Sequence, residues 1–213
     1  IMKIAIISDI HGNIYALMKT LEDIDEQRVD KIICLGDLVG YGPHPNEVIA
    51  LIRRREIPCI RGNYDASVVD GDFTFIRNTA INSFALPWTC EEVRVSNKYY
   101  LASLPTSLKY TFNGVNILFT HGSPNAINEY LFEDAENTKK VMTEYEGDVL
   151  VCAHTHIPFT KKFNNKTLIN VGSVGKPKIG KPNPTYTIIE IKDNGEIVVQ
   201  VRYLEYEYKR IMK

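Results

Sequence analysis

The chain has 213 residues, 44% hydrophobic and 24% charged, the proportions of a soluble globule and not of a disordered or fibrous protein. Its 25 Lys and Arg against 26 Asp and Glu give a formal net charge of -1, without the basic excess that stable nucleic-acid binding demands. A chain this long can bury about 70% of its unfolded surface, so the expectation is a single domain over residues 1–213 that needs no staple.

Residues 2–8 form a short β-branched run ending at Asp9, and a continuous apolar strand suits a sheet covered on both faces. Asn13 is an N-cap, and Ile14, Leu17, Met18, Leu21 and Ile24 recur at helical spacing over 13–27. Lys31–Leu35 reads as a second strand and Gly36 to Gly42 as a glycine-rich loop. Pro45-Asn46 opens a helix carrying Val48, Ile49 and Ile52, and Ile57–Ile60 reads as a third strand. Strands alternating with helices predict βαβ units in a largely parallel sheet. Residues 72–104 read as two helices, with a capping box formed by Thr89 and Glu92 and Pro105 after the second. Hairpins follow, at Asn113-Gly114, at Asn164-Asn165 and at Asp193-Asn194-Gly195. Residues 126–146 read as a polar helical region and Asp148–Ala153 as a buried strand, so the second half is expected to be mostly antiparallel β.

Cys34, Cys59, Cys90 and Cys152 lie in apolar runs with no close pair, which predicts free thiols in a reducing compartment, the cytoplasm. No run approaches about 18 apolar residues, and Lys3 and Asp9 interrupt the N-terminal one, so no signal peptide or membrane association is expected.

The chemistry sits at strand ends. Asp9-Ile10-His11, Gly36-Asp37, Gly62-Asn63, His121-Gly122 and His154-Thr155-His156 each follow an apolar strand, and ligands of open α/β sheets bind outside the carboxyl ends of strands. Taken singly, these are turns and loops. Taken together, they bring imidazoles and carboxylates to one edge, the donor set for a pair of divalent cations about 3.5–4 Å apart. Imidazole with carboxylate suits Mn, Fe, Ni, Co or Zn better than Mg or Ca.

In this order the five motifs resemble those of the calcineurin-like metallophosphoesterases, over about residues 2–192. Asn170–Pro177 resembles the closing loop of a microbial branch of phosphodiesterase and phosphoprotein-phosphatase type. The resemblance implies an α/β fold, a four-layer α/β/β/α sandwich of two mixed sheets. It also implies a hydrolase that cleaves phosphate mono- or diesters with a hydroxide bridging two divalent metal ions. Asp9, His11 and His156 would hold the first ion and Asn63, His121 and His154 the second. Asp37 would bridge them, which makes Asp37 and Asn63 catalytic. Arg61 would clamp a phosphoryl oxygen as a bidentate fork, or be a solvated loop arginine. Gly122 and Tyr64 would also meet the substrate, a small phosphate ester such as a nucleotide or phosphopeptide.

Two departures stand out. Ala153 takes the place of a glycine. Tyr64 takes the place of the histidine that protonates the leaving group, and an unperturbed tyrosine, with a pKa of about 10, is a poor acid. General acid catalysis is worth about 10²–10⁴-fold, roughly 3–5.5 kcal/mol, so its loss weakens such an enzyme without abolishing it. His44 is either a substitute acid or a histidine at a helix start. Lys176, Lys178 and Lys181 form a loop that is either merely solvated or attracts an anionic substrate, and Tyr41 and Phe132 are expected near the site. The competing expectation is a metal-binding scaffold working as a protein-interaction module, as the small retromer subunit does with the same missing histidine.

Overall fold

The structure, a computed structural model, describes residues 1–205 apart from 75 and 78. Two mixed sheets carry it. The first has the order β2-β1-β8-β9, built from β1 (Met2–Ile7), β2 (Lys31–Cys34), β8 (Thr185–Ile191) and β9 (Ile197–Tyr203). The second has the order β3-β4-β5-β7-β6, from β3 (Ser107–Phe112), β4 (Val115–Thr120), β5 (Val149–Cys152), β6 (Phe159–Phe163) and β7 (Lys166–Asn170).

The period-two alternation of these strands sets the layers. Ile4 and Ile6 of β1 face β4, β5 and β7 across a core that includes Phe119, Val151 and Ile169. Ala5 and Ile7 point the other way, into a core shared with α1 (Ile14–Gln27) and α2 (Pro45–Arg54). On the far side of the second sheet, Leu150, Cys152 and Leu168 pack against Val141 and Met142 of α6 (Glu136–Glu144). The result is the expected α/β/β/α order. β1 and β2 run parallel, as do β4, β5 and β7, so five strand ends open on one edge. All four cysteines are free. Among the described residues no helix is long and apolar enough to cross a membrane.

Asn13 caps α1 as expected, accepting from the Ala16 N–H at 3.1 Å, and the three hairpins form where expected. Four expectations need correction. Ile57–Ile60 makes only an isolated parallel bridge, Cys34 to Cys59; Pro58 has no N–H to continue a ladder. Thr89 is not a cap. It lies inside α4 (Ala80–Glu92) and donates its hydroxyl to Ala85 O at 2.8 Å, a back-bond common for helix-interior threonine. The true caps are Thr79 for α4 and Arg94 for α5 (Val95–Ser103). The polar 126–146 region is helical only in α6, because its first part is a loop folded around Ser123, whose hydroxyl accepts from the Asn125 and Ala126 N–H groups. The second half is mixed and not mostly antiparallel, since β4, β5 and β7 are parallel. Sequence patterning also leaves out α3 (Asn63–Asp70), which starts directly on the third motif.

Candidate metal centre

The turns after β1 and β2 lock together. The Asp9 N–H donates to Gly36 O at 2.9 Å and the His11 N–H to Asp37 O at 2.9 Å. Glycines allow the approach: a Cβ on Gly36 would strike the backbone of Ile60 and Gly62, and one on Gly62 would strike Asp37. Asp65, fully buried, ties the third motif to the second. Its carboxylate accepts from the N–H groups of Asp37 (2.8 Å), Leu38 (3.0 Å) and Gly62 (2.9 Å). Burial, and then the Asp37 charge, push its pKa up to about 7. The closing loop completes the frame. Ser173 donates to Asp9 O at 2.8 Å, and Asn170 donates to Ala153 O and Thr155 Oγ1, both at 2.9 Å.

This frame holds side chains in conformations they would not choose. Asp9, His11, Asp37, His154 and His156 all have positive φ, between 50° and 73°, the left-handed region that costs an L-residue about 1 kcal/mol or more. The outcome is a buried cluster. Donor atoms of Asp9, His11 and His156 lie within 4.8 Å of one another, and so do those of Asp37, His121 and His154.

Each carboxylate spends one oxygen on the frame and aims the other inward. Asp9 Oδ2 accepts from the His154 N–H at 3.2 Å, and Asp37 Oδ1 from the Tyr64 N–H at 2.9 Å. Among the described residues, Asp9 Oδ1 and Asp37 Oδ2 are buried and make no hydrogen bond, and neither does His121 Nε2. The imidazoles are oriented in the same way. Nδ1 of His11, His121 and His156 meets the carbonyls of Val39, Leu35 and Lys176 at 2.9, 2.7 and 2.7 Å. A carbonyl only accepts, so each Nδ1 carries the proton. Bare Nε2 lone pairs then face inward, those of His11 and His156 3.3 Å apart. His154 is reversed: its Nε2 meets Asn128 O at 3.1 Å, leaving Nδ1 for the cluster.

Opposed lone pairs and unpartnered buried carboxylate oxygens are costly unless a cation sits between them, so this donor set fits divalent metal. The charges agree. Burial opposes ionisation of Asp9, but His156 and His121 hold its carboxyl well below the ordinary range. Burial likewise opposes protonation of His121, yet Asp37 and Asp9 push it up to about 10, a measure of how strongly this point attracts positive charge. Burial and the neighbouring His121 push His154 down to about 4, so it stays a neutral donor.

A small cleft opens over the cluster, with Asp37, Asn63, His154 and His156 as its floor. Asn63, the first residue of α3, is buried there. A hollow of about 560 Å³ between β3, β4 and α6 contains none of these groups, so size does not mark the site. Tyr64 and Tyr41 form one wall. Their hydroxyls lie 2.5 Å apart, and Tyr64 donates to Asn82 Oδ1 at 3.0 Å. Burial, then the bond to Tyr41, raise the Tyr64 pKa far above its usual value.

Arg61 stands two residues before Asn63; its backbone N–H donates to Pro105 O at 2.8 Å, and among the described residues its side-chain Nε is buried without a hydrogen-bond partner. His44 is the N-cap residue of α2, edge-on to Tyr15, which is its helix-start reading. Gly122 is enclosed by the carbonyls of Ala126, Ile127 and Glu129 and shapes that loop. Phe132 is half exposed and stacks on Tyr130. Tyr130 itself stacks on His154 at 3.9 Å, a contact without a sequence signal. Lys178 and Arg77 line the cleft mouth, and Lys176 lies 3.3 Å above the Tyr41 ring.

Residues 2–194 match the model of the calcineurin-like phosphoesterase superfamily domain. The chain belongs to that superfamily. This places it among hydrolases of phosphate ester bonds. It is 35% identical to an uncharacterized protein of Methanocaldococcus jannaschii over 99% of this chain and 92% of that one. It is 27% identical to the phosphodiesterase YfcE of Escherichia coli over 94% and 97%. Among solved structures, a metallophosphoesterase from Sphaerobacter thermophilus superposes with a TM-score of 0.81 at 29% identity, covering 99% of this chain and 91% of that one. Vps29 of Entamoeba histolytica, complexed with zinc, shares the fold at a TM-score of 0.55 and 19% identity, over 95% and 99%.

Proposed function

We propose that the chain, as a single domain over residues 1–213, hydrolyses phosphate mono- or diesters at a dinuclear site. Asp9, His11 and His156 hold one divalent cation, Asn63, His121 and His154 hold the second, and Asp37 lies between them. The observation that carries this reading is the convergence of bare lone pairs on a buried point. Asp37 Oδ2 is 3.7 Å from His11 Nε2 and 3.2 Å from His121 Nε2, reaching both groups, which supports the bridging role. Two cations (Mn, Fe, Ni, Co or Zn), when bound, lower the pKa of water and neutralise phosphoryl charge.

The protein's own groups do the rest. The carbonyls on Nδ1 turn three imidazoles so that Nε2 faces the cluster, and orientation of this kind accounts for much of a metal site's affinity. Asp65 and the Tyr64 N–H fix Asp37. Tyr64 supplies no proton, because its hydroxyl is engaged by Tyr41 and Asn82 and titrates far above neutrality. The leaving group therefore departs without a general acid from this position. The substrate is a small phosphate ester such as a nucleotide or phosphopeptide, met in the cytoplasm. Every ligand position is filled, and folding alone asks for no such set, which supports an enzyme over a protein-binding scaffold.

The test is hydrolysis of bis-p-nitrophenyl phosphate with added Mn²⁺ or Ni²⁺, repeated on Asp37→Asn. Metal-dependent release of nitrophenol that disappears in the variant is expected. Activity that survives the substitution removes the bridging role.

A further inference from the structure

Three features around Arg77, which lies between α3 and α4, meet at the cleft. Arg77 lines the mouth beside Lys178, and its side chain reaches the Tyr130 hydroxyl. Among the described residues, no ion pair joins Arg77, Lys176 or Lys178 to a carboxylate, whereas Arg55, Lys161 and Arg202 are each paired. The segment is also tethered to the floor. Asn82 donates from Nδ2 to Arg77 O at 2.8 Å and accepts on Oδ1 from the Tyr64 hydroxyl at 3.0 Å. The first bond fixes the amide's orientation, and the Asn82 N–H further meets Thr79 Oγ1 at 3.2 Å. Tyr64 thus connects through one amide to the backbone of Arg77, which among the described residues has no carboxylate partner.

We propose that Arg77, with Lys178, is a phosphoryl-binding clamp facing the metal ligands, and that Tyr64 and Asn82 are positioning residues that hold it there. The guanidinium fork matches phosphoryl oxygens bidentately, and Lys178 adds a point charge. Rim cations that have no carboxylate partner among the described residues favour a doubly charged group, so the preferred substrate class is the phosphomonoester over the diester. The clamp deepens the phosphoesterase reading, on which its choice of ligand rests.

Calorimetric titration of manganese-loaded protein with inorganic phosphate tests the clamp independently of turnover. Arg77→Gln is expected to weaken phosphate binding roughly 10–100-fold, the range for a hydrogen-bonded charge, and Arg77→Lys to recover part of it. Asn82→Ala, checked for intact helix by circular dichroism, is expected to weaken it less and to raise KM more than it lowers kcat. Arg77→Gln is also expected to raise KM for p-nitrophenyl phosphate more than for its bis ester. Unchanged phosphate affinity in Arg77→Gln, or no phosphate binding by the unmodified protein, overturns the clamp. Arg77-dependent phosphate binding in a protein that cleaves no ester keeps the clamp and removes the phosphoesterase reading. Ester cleavage with phosphate binding indifferent to Arg77 does the reverse.

Discussion

The floor and the lip of the cleft are built on different terms. On the floor Asp37 is held by Tyr64 and Asp65, Asp9 by His154, Ser173 and Gly36, and His156 by the Lys176 carbonyl on its ring and the Lys178 N–H on its own carbonyl. That redundancy lets five non-glycine residues remain at positive φ, since strain persists where the surroundings over-determine it. The lip, at Arg77 and Thr79, meets the floor among the described residues through the Asn82 amide and the rim contacts of Arg77. The floor is suited to fixing charges to a fraction of an ångström, while the lip is held by fewer bonds.

The contrast can be broken in order of expected effect. On the floor, Asp37→Asn should lower kcat/KM for p-nitrophenyl esters at least about 10³-fold, because removing even one electrostatic stabiliser commonly costs 10²–10³; a drop of less than tenfold would argue against a metal bridge. At the junction, aryl esters should be cleaved about 10²-fold or more faster than matched alkyl esters, the lower bound for a missing general acid. Tyr64→His should narrow that gap, and equal rates in the unmodified protein would show that some other group delivers the proton. Behind the floor, Asp65→Asn removes an ionisable acceptor of three N–H groups. Mn²⁺ affinity should fall about 10–100-fold, and unchanged affinity would mean that the glycine turns alone hold Asp37.

The smallest effect is expected away from both regions. Asp23 on α1 accepts from Arg202 at 2.7 and 3.0 Å and from the Tyr186 hydroxyl at 2.6 Å. Burial opposes its ionisation, but the bonds from Arg202 and Tyr186 prevail and hold its pKa below the ordinary value. A carboxyl depressed by folding stabilises above its unfolded pKa, about 3.9, and that contribution is lost as pH falls through the lower folded value. Asp23→Asn should therefore cost about 1–3 kcal/mol in urea unfolding at pH 7, shrinking below pH 4, with hydrolysis unaffected. A cost that did not change with pH would mean packing, not charge, joins α1 to β9.

The sequence carries the floor plainly because each ligand motif abuts a strand end, where βα topology converges. Asp9, His11, His121, His154 and His156 can be named from spacing and resemblance, and the structure gathers them. The lip is silent because Arg77, Asn82 and Tyr130 stand in no motif and reach the cleft only through tertiary contacts. Local rules also misled where a longer-range fact decided. Thr89 and Glu92 have capping-box spacing, but the helix they lie in had already started at Thr79. Residues 57–60 have strand composition, yet Pro58 interrupts the ladder. Asp65 was visible as part of a motif, but its task, accepting three N–H groups from two loops, depends on Gly36 and Gly62 lying in contact.

Crystals grown with excess manganese and measured at the manganese absorption edge address the central claim directly. The account predicts two anomalous peaks about 3.5–4 Å apart, one against Asp9, His11 and His156, the other against Asn63, His121 and His154, with Asp37 touching both. A cluster that stays gathered but binds no manganese would contradict it.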